Sequence, residues 1–286
     1  MNGVLLINKP RGMSSGSVVG KIKKLTGEKC GHMGTLDPLA EGVLPICIGR
    51  ATRLFNYFLD KTKVYIAQFK FGEETDTLDL EGRVVGTSSK IPTYKEVDDC
   101  IFYNFLGARQ QLPPEYSAKK IGGKKSYDLA RQGKEIDLKP VDIYISRFSI
   151  ERQIDDKTYE FEIECSSGTY IRALARDLGR SLGSCATMTK LVRTRVGRFD
   201  KKNCVDIENL SITTIEENLI PLEDVILSMG LPRLTITNNI VKDLLDGKPF
   251  FFDKCGQDIH AVFCDGKAVG FGKVVGDRFK MLTYLL

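Results

Sequence analysis

Residues 158–183 read "TYEFEIECSSGTYIRALARDLGRSLG", and their period changes halfway along. In the first half Tyr159, Phe161, Ile163 and Cys165 alternate with Glu160, Glu162 and Glu164, the two-residue repeat of a strand with one apolar face. The pattern breaks at Gly168, and "YIRALARDLGRSLG" follows as a helical pattern that ends in glycine. Working outward, residues 63–71 form a second strand of the same kind. There Tyr65, Ala67, Phe69 and Phe71 alternate with Val64, Ile66, Gln68 and Lys70. Val4–Ile7 is a short apolar strand that runs into the turn "NKPRG". Ser14 or Ser15 then caps a helix with Val18, Ile22 and Leu25 on one face. "VLPICIG" reads as a buried strand and "RLFNYFLD" as a helix. Strands and helices mix without a repeating β-α-β rhythm, which predicts an α+β fold around a largely antiparallel sheet. From about residue 229 the texture changes to short strands separated by glycines, which predicts a small β-rich domain of about 55 residues. Within it, Gly270, Gly272 and Gly276 have the wrong spacing for a dinucleotide loop, and no helix follows them.

Composition narrows the functional classes. The chain has 286 residues, 42% hydrophobic and 28% charged, which fits an ordinary globular protein. No apolar run approaches the roughly 20 residues that span a bilayer, and "MNGVLLINKPRG" is too short in its apolar part for a signal peptide. A cytoplasmic protein with no membrane partner is expected. The eight cysteines are scattered and none forms C-x-x-C, so reduced thiols are expected rather than a disulfide framework. With only His32 and His260 and no clustered ligands, no metal site is expected. The zinc deaminase pattern is absent, since the chain offers His32-Met33-Gly34 and Pro45-Ile46-Cys47 in its place.

The charge of +5 is a weak sign of a polyanionic partner, and its distribution says more. The segment 116–139, "YSAKKIGGKKSYDLARQGKEIDLK", carries seven Lys or Arg against three acids, with two tyrosines and a Gly-Gly pair. Such a segment is either a solvated surface element or a grip on a phosphate backbone with exposed bases. In "GHMGTLDPLAEGVLPICIG" at 31–49 a lone acid, Asp37, precedes a proline, which pushes it out of helical conformation. Gly31, Gly34 and Gly42 permit positive φ or close approach on either side. The loop presents either a functional carboxylate or one that hydrogen-bonds its own backbone.

Four stretches, "NKPRGMSS" at 8–15, "GHMGTLDPLAEGVLPICIG" at 31–49, "KTKVYIAQFKFG" at 61–72 and "CSSGTYIRALARDLG" at 165–179, together resemble the TruB family. These are bacterial tRNA pseudouridine synthases that isomerise the uridine at position 55 in the T loop. "PPEYSAKKIGGKKSYDLARQGKE" and "LVRTRVGRF" at 191–199 extend the likeness over most of residues 3–200. The resemblance implies a catalytic domain over 1–230, with a mixed, largely antiparallel sheet, flanking helices and an RNA-gripping insertion at about 110–139. More loosely, it implies a PUA-like RNA-binding domain over 231–286.

It also implies roles. Asp37 would be the catalytic carboxylate and Arg172 its partner. Tyr65 would stack on the target base, with a possible share in removing the C5 proton, although at a reference pKa of roughly 10 stacking suits it better. His32 would fill the place that the flipped nucleotide vacates. Tyr170 and Leu191 would contact that nucleotide, and Lys9 and Pro10 would brace the floor of the site. The expected partner is the T arm of tRNA, the expected state a monomer, and no cofactor or metal is called for. A tRNA-folding chaperone role could coexist. A ribosomal-RNA-directed relative remains an alternative, though that branch normally carries terminal extensions. A phosphatase or glycosidase would need further acids. "EETDTLDLEG" at 73–82 supplies some, and it reads better as a solvated turn.

Overall fold

The computed structural model describes residues 1–58, 62–116, 120–121, 124–125, 138–246, 248, 250–251, 258–276 and 278–286. The first part of the chain supplies β1 (Gly3–Lys9), α1 (Ser15–Thr26), β2 (Cys30–His32), β3 (Glu41–Ile48), a 3-10 turn over Gly49–Leu54, α2 (Phe55–Phe58) and β4 (Lys63–Phe71). The hairpin β5 (Glu73–Thr75) and β6 (Val84–Thr87) precedes α3 (Tyr94–Asn104), β7 (Gly107–Gln111) and a two-stranded pair, β8 (Lys120–Ile121) with β9 (Lys124–Lys125). Next come β10 (Val141–Asp155), β11 (Thr158–Cys165), α4 (Ile171–Ser181), β12 (Ala186–Val196), β13 (Phe199–Asp200), β14 (Val205–Asp206), α5 (Ile212–Asn218), β15 (Ile220–Pro221) and α6 (Leu222–Leu227). The last elements are β16 (Arg233–Thr235), α7 (Asn238–Leu245), β17 (Phe250–Phe251), β18 (His260–Cys264), β19 (Lys267–Val275) and β20 (Arg278–Tyr284).

The expected α+β fold is found. Eleven strands form one mixed sheet along the order β14-β1-β3-β12-β4-β11-β10-β7, with β2, β13 and β15 pairing off this path. Most neighbours are antiparallel, while β12 meets β3 in parallel over only Val192–Glu41 and Arg193–Gly42. Sequence alternation explains how the sheet is covered. Tyr65, Ala67, Phe69 and Phe71 of β4 and Tyr159, Phe161, Ile163 and Cys165 of β11 turn to one face and pack with Val97 and Ile101 of α3 and Leu174 and Leu178 of α4. The alternate residues form a charged ladder on the opposite face. Glu160 pairs with Arg152, Glu162 with Arg147 and Glu164 with Arg195. Under β1 and β3 that opposite face is apolar, and a second sheet of five strands, order β16-β18-β19-β20-β17, packs there. Val4, Leu6, Val43 and Cys47 share one buried cluster with Ala261, Phe263, Phe271 and Leu285.

The helices follow their capping chemistry. Ser14 accepts from the Ser17 amide to start α1, and Gly27 ends it at φ 69°. Thr93 and Glu96 close a capping box on α3. Several expectations need correction. Leu25 is half out of the core at 39% exposure, because the buried stripe of α1 stops at Ile22. The "RLFNYFLD" stretch is helical only over Phe55–Phe58, behind a 3-10 turn, with residues 59–60 outside the described set. The C-terminal segment contains α7 as well as strands. Most of the basic 116–139 segment, its Gly-Gly pair included, also lies outside the described residues. Seven cysteines are described and all are free, four of them buried. Among the described residues no helix is long and apolar enough to cross a membrane.

Candidate active site

The loop between β2 and β3 carries Asp37, and almost every residue flanking it is clamped from outside the loop. Arg193 of β12, fully buried, donates from Nη2 to the Gly34 carbonyl at 3.1 Å, from Nη1 to Thr35 at 3.3 Å and from Nε to Val43 at 2.9 Å. Ser15 Oγ accepts from the Leu36 amide at 2.9 Å and donates to its carbonyl at 2.8 Å. The Pro38 carbonyl accepts from the Gly12 amide at 2.8 Å and from Lys9 Nζ at 3.3 Å. Lys9 also donates to Pro10 and Met13 carbonyls at 2.9 and 2.6 Å, so the "NKPRG" turn and the Asp37 loop close on one ammonium. Burial pulls that ammonium down to about 8, against the raising pull of Asp37 and Glu41. Gly34 and Gly42 have φ of 101° and 104°, whereas Gly31 has no positive φ and nothing close to it. At Gly42 a Cβ would sit 2.2 Å from the Arg193 carbonyl oxygen, so only glycine lets β3 and β12 meet there.

Held in this way, the Asp37 side chain leaves its own loop. Among the described residues it makes no hydrogen bond to the loop backbone. Its Oδ2 faces Arg172 Nη2 at 2.9 Å. Arg172 lies in the first turn of α4 and is buried, while Asp37 keeps 39% of its side chain exposed. The same guanidinium donates to the Thr77 carbonyl at 2.8 Å and the Tyr116 carbonyl at 3.0 Å, and Nη1 lies 3.4 Å from Asp79 Oδ2. The arginine is therefore held from three sides, with the carboxylate of Asp37 at its open edge.

Asp79 corrects the reading of residues 73–82 as a solvated turn. Asp79 is buried, and Glu74, also buried, accepts from Arg180 of α4 through both oxygens, at 2.6 and 3.1 Å. Leu78, between the two groups that meet Arg172, has φ 63°, an uncommon conformation for a non-glycine residue. Sequence alone offered no signal for these contacts, because acids that meet α4 and acids in a solvated turn look alike along the chain.

Asp37 and Arg172 open onto a cleft of about 390 Å³, within the size range of ligand pockets. Tyr65, Tyr170 and Leu191 line it, with Lys63 and Arg193 beside them. Burial pushes the Tyr65 hydroxyl up to about 12, with the charge of Arg193 and a hydrogen bond from it opposing, so the phenol stays protonated at neutral pH. His32 does not line this cleft. It lies half-buried in an adjoining depression with Cys47 and Arg53, and Phe55 borders both spaces. Burial, aided by Arg193, lowers the His32 pKa, so its imidazole is neutral. Among the described residues Nδ1 of His32 has no hydrogen-bond partner. Lys9 and Pro10 stand behind the loop, outside the cleft. Arg193 and Gln111, which the reading of the sequence did not single out, emerge as supports, and so does Ser15, which it read only as a candidate helix cap.

Comparison with known proteins fits this architecture. Residues 22–171 match the model described as TruB family pseudouridylate synthase, N-terminal domain, and residues 172–230 match the tRNA pseudouridylate synthase B C-terminal domain. The chain is thus a pseudouridine synthase, an isomerase. It belongs to the TruB family. It is 38% identical over 289 residues to the tRNA pseudouridine synthase B of Clostridium kluyveri, covering 99% of each chain. To the protein of the same name from Francisella philomiragia it is 42% identical over 290 residues, covering 98% of this chain and 95% of that one. Among solved structures, a chain in a Cbf5-Nop10-Gar1 complex has the same fold, with a TM-score of 0.73 at 23% identity over 99% of this chain and 85% of that one. Residues 231–286 lie outside both family matches.

Proposed function

We propose that this protein isomerises the uridine at position 55 in the T loop of tRNA, with Asp37 as the catalytic carboxylate. The observation that carries the reading is the Asp37–Arg172 pair at the mouth of the cleft. One oxygen is neutralised at 2.9 Å while the side chain keeps 39% exposure towards an incoming ribose. The reaction breaks N1–C1′, turns the detached uracil and joins C5 to C1′. The C5 proton leaves and N1 takes one up, so no atom is gained or lost. An ionised carboxylate beside C1′ and the base serves each of three routes: attack on C1′, attack on C6, or removal of a ribose proton through a glycal. Tyr65 stacks on the base, the role that its raised pKa suits better than proton removal, with Tyr170 and Leu191 closing the sides. The target must leave its stack, which typically costs a few kcal/mol, and His32 on the neighbouring depression fills the vacated place as a neutral ring. Lys9 and Pro10 brace the loop.

A PUA-like unit over 231–286 and the insertion at about 110–139 add contacts to the RNA backbone, and the enzyme works as a cytoplasmic monomer. An RNA-folding role would rest on binding alone and survive Asp37→Asn. The test is mass spectrometry of a T-arm transcript after incubation with the protein. A new pseudouridine at the loop uridine is expected, and an unmodified transcript with folded protein present would overturn the proposal.

A further inference from the structure

We propose that Gln111 is a positioning residue for the isomerisation, setting the first turn of the helix that brings Arg172 to Asp37. The inference rests on the reading of Asp37 and Arg172 given above. Helix α4 begins without a cap of its own, since Tyr170 occupies the N-cap and makes no side-chain capping bond. A serine or aspartate would ordinarily stand there and satisfy an orphan amide. The ring that lines the cleft takes that position, and support comes from another strand, through the backbone groups of the N-cap residue itself. Gln111, at the end of β7 and 1% exposed, accepts from the Tyr170 amide at 2.9 Å and donates to the Tyr170 carbonyl at 3.0 Å. One primary amide so reads both backbone groups of a single residue, 59 positions away in sequence. A planar amide held at both ends fixes the two peptide units on either side of the Tyr170 Cα relative to each other, in orientation as well as distance. Arg172 follows two residues later.

The chain beyond Gln111 runs along the same helix. Arg176, one turn further on and buried, donates to the Leu112 carbonyl at 2.8 Å, and Arg172 itself donates to Tyr116. The segment 111–116 is therefore fastened to α4 at residues 170, 172 and 176. Only the fastening at Gln111 touches the backbone from which Arg172 springs. Detaching Leu112 from Arg176 loosens the segment and leaves Tyr170 in place, so the two contacts can be separated by experiment.

The full-length protein is assayed by single-turnover conversion of a T-arm RNA, with RNA affinity and thermal unfolding measured alongside. Gln111→Met keeps side-chain length and removes both hydrogen bonds. It should lower the single-turnover rate about 10- to 100-fold, the scale expected for a misplacement near 1 Å, with RNA affinity within about twofold of wild type. Arg176→Met should lower the rate less than about threefold. In an Arg172→Lys background, where no planar guanidinium remains to be aimed, adding Gln111→Met should cost less than about threefold more. Equal rate losses for Gln111→Met and Arg176→Met, or a full loss in the Arg172→Lys background, would overturn the proposal in favour of general loosening. If Gln111→Met does not fold, Gln111→Glu retains the acceptor for the Tyr170 amide and should fall between wild type and Arg172→Lys; a wild-type rate from it would count against the proposal. Failure of the underlying reading is distinguishable, because an active Asp37→Asn enzyme would remove Asp37 from the chemistry whatever Gln111 does.

Discussion

The two sheets of this protein bury different things. Around the cleft, the large sheet and its helices enclose Lys9, Arg172 and Arg193, each donating to main-chain carbonyls. In the five-stranded sheet the buried residues are, among those described, apolar apart from His260. Its attachment to the large sheet has an apolar cluster at its centre, with Phe271 stacked on Tyr57 at a ring distance of 4.2 Å, and hydrogen bonds at its rim, where Arg53 Nη1 donates to the Tyr284 carbonyl at 2.5 Å and Tyr57 meets Thr283 at 3.0 Å. Apolar packing tolerates small shifts, whereas a guanidinium on three carbonyls fixes where each lies. The contrast teaches that precision near Asp37 comes from buried cations on backbone, whereas the C-terminal sheet is joined by a buried apolar cluster with the arginines of the joint, Arg50 and Arg53, exposed at the rim.

The contrast breaks most sharply at Asp37. Asp37→Asn keeps the shape and the clamps, so stability and RNA affinity should hold while turnover falls by at least roughly four orders of magnitude, the scale seen when an essential catalytic group is removed. Turnover above about a hundredth of wild type would remove Asp37 from the chemistry. Phe271→Ala should do the reverse. Emptying a fully buried aromatic position typically costs about 3–5 kcal/mol of stability, yet the single-turnover rate on a T-arm hairpin should change less than about threefold. Urea unfolding and rate on the same samples decide it, and a large rate loss with little destabilisation would mean the C-terminal sheet aims the site. The shared cluster also makes deletion of 231–286 a poor test of division of labour, since it would strip cover from Val4, Leu6 and Val43.

Arg172→Lys comes next, with an expected loss on the order of 30-fold, about 2 kcal/mol, because a point charge cannot hold Asp37, Thr77 and Tyr116 together. Near-normal turnover would reduce the pair to simple charge compensation. Lys9 comes last, because its effect falls on stability alone and only in alkaline solution. Its pKa falls from 10.5 when unfolded to about 8 when folded, so between those values the unfolded chain binds the proton and the folded one does not. Stability from this group therefore rises with pH from about 8 to 10.5, by at most roughly 1.4 kcal/mol per pH unit. Wild type should gain on Lys9→Met across that window in urea titrations, and parallel curves would show that Lys9 stays charged in the fold.

The parts of this fold legible in the sequence were those written in local period. β4 and β11 followed from a two-residue repeat with one apolar, partly aromatic face, and α4 from the change of period after Gly168. Asp37 stood out through its glycines and proline, and its likeness to a family motif brought in Arg172. What stayed hidden was tertiary. Asp79 lies in a stretch as acidic as any solvated turn, and it is buried where α4 brings Arg172 and β12 brings Met188 against it. Ser15 looked like a helix cap, and its role beside Leu36 depends on a loop 21 residues away. Helix α7 was masked by the glycines and short strands around it.

The order of strands in the large sheet also has a consequence in time. β1 and β3 come from the first fifty residues and β12 from beyond residue 185, yet they are neighbours, and the Arg193 contact to Val43 spans 150 residues. At roughly 5–20 residues per second, a ribosome needs on the order of ten seconds to cover that distance. Throughout that interval Lys9 and Ser15 can already hold their side of the Asp37 loop, while β3 presents an open apolar edge to whatever else is in solution. Long-range pairing of this kind folds slowly. The newborn enzyme is thus expected to be most prone to wrong partners between the birth of β3 and the birth of β12, and to become competent all at once when Arg193 emerges and closes the loop.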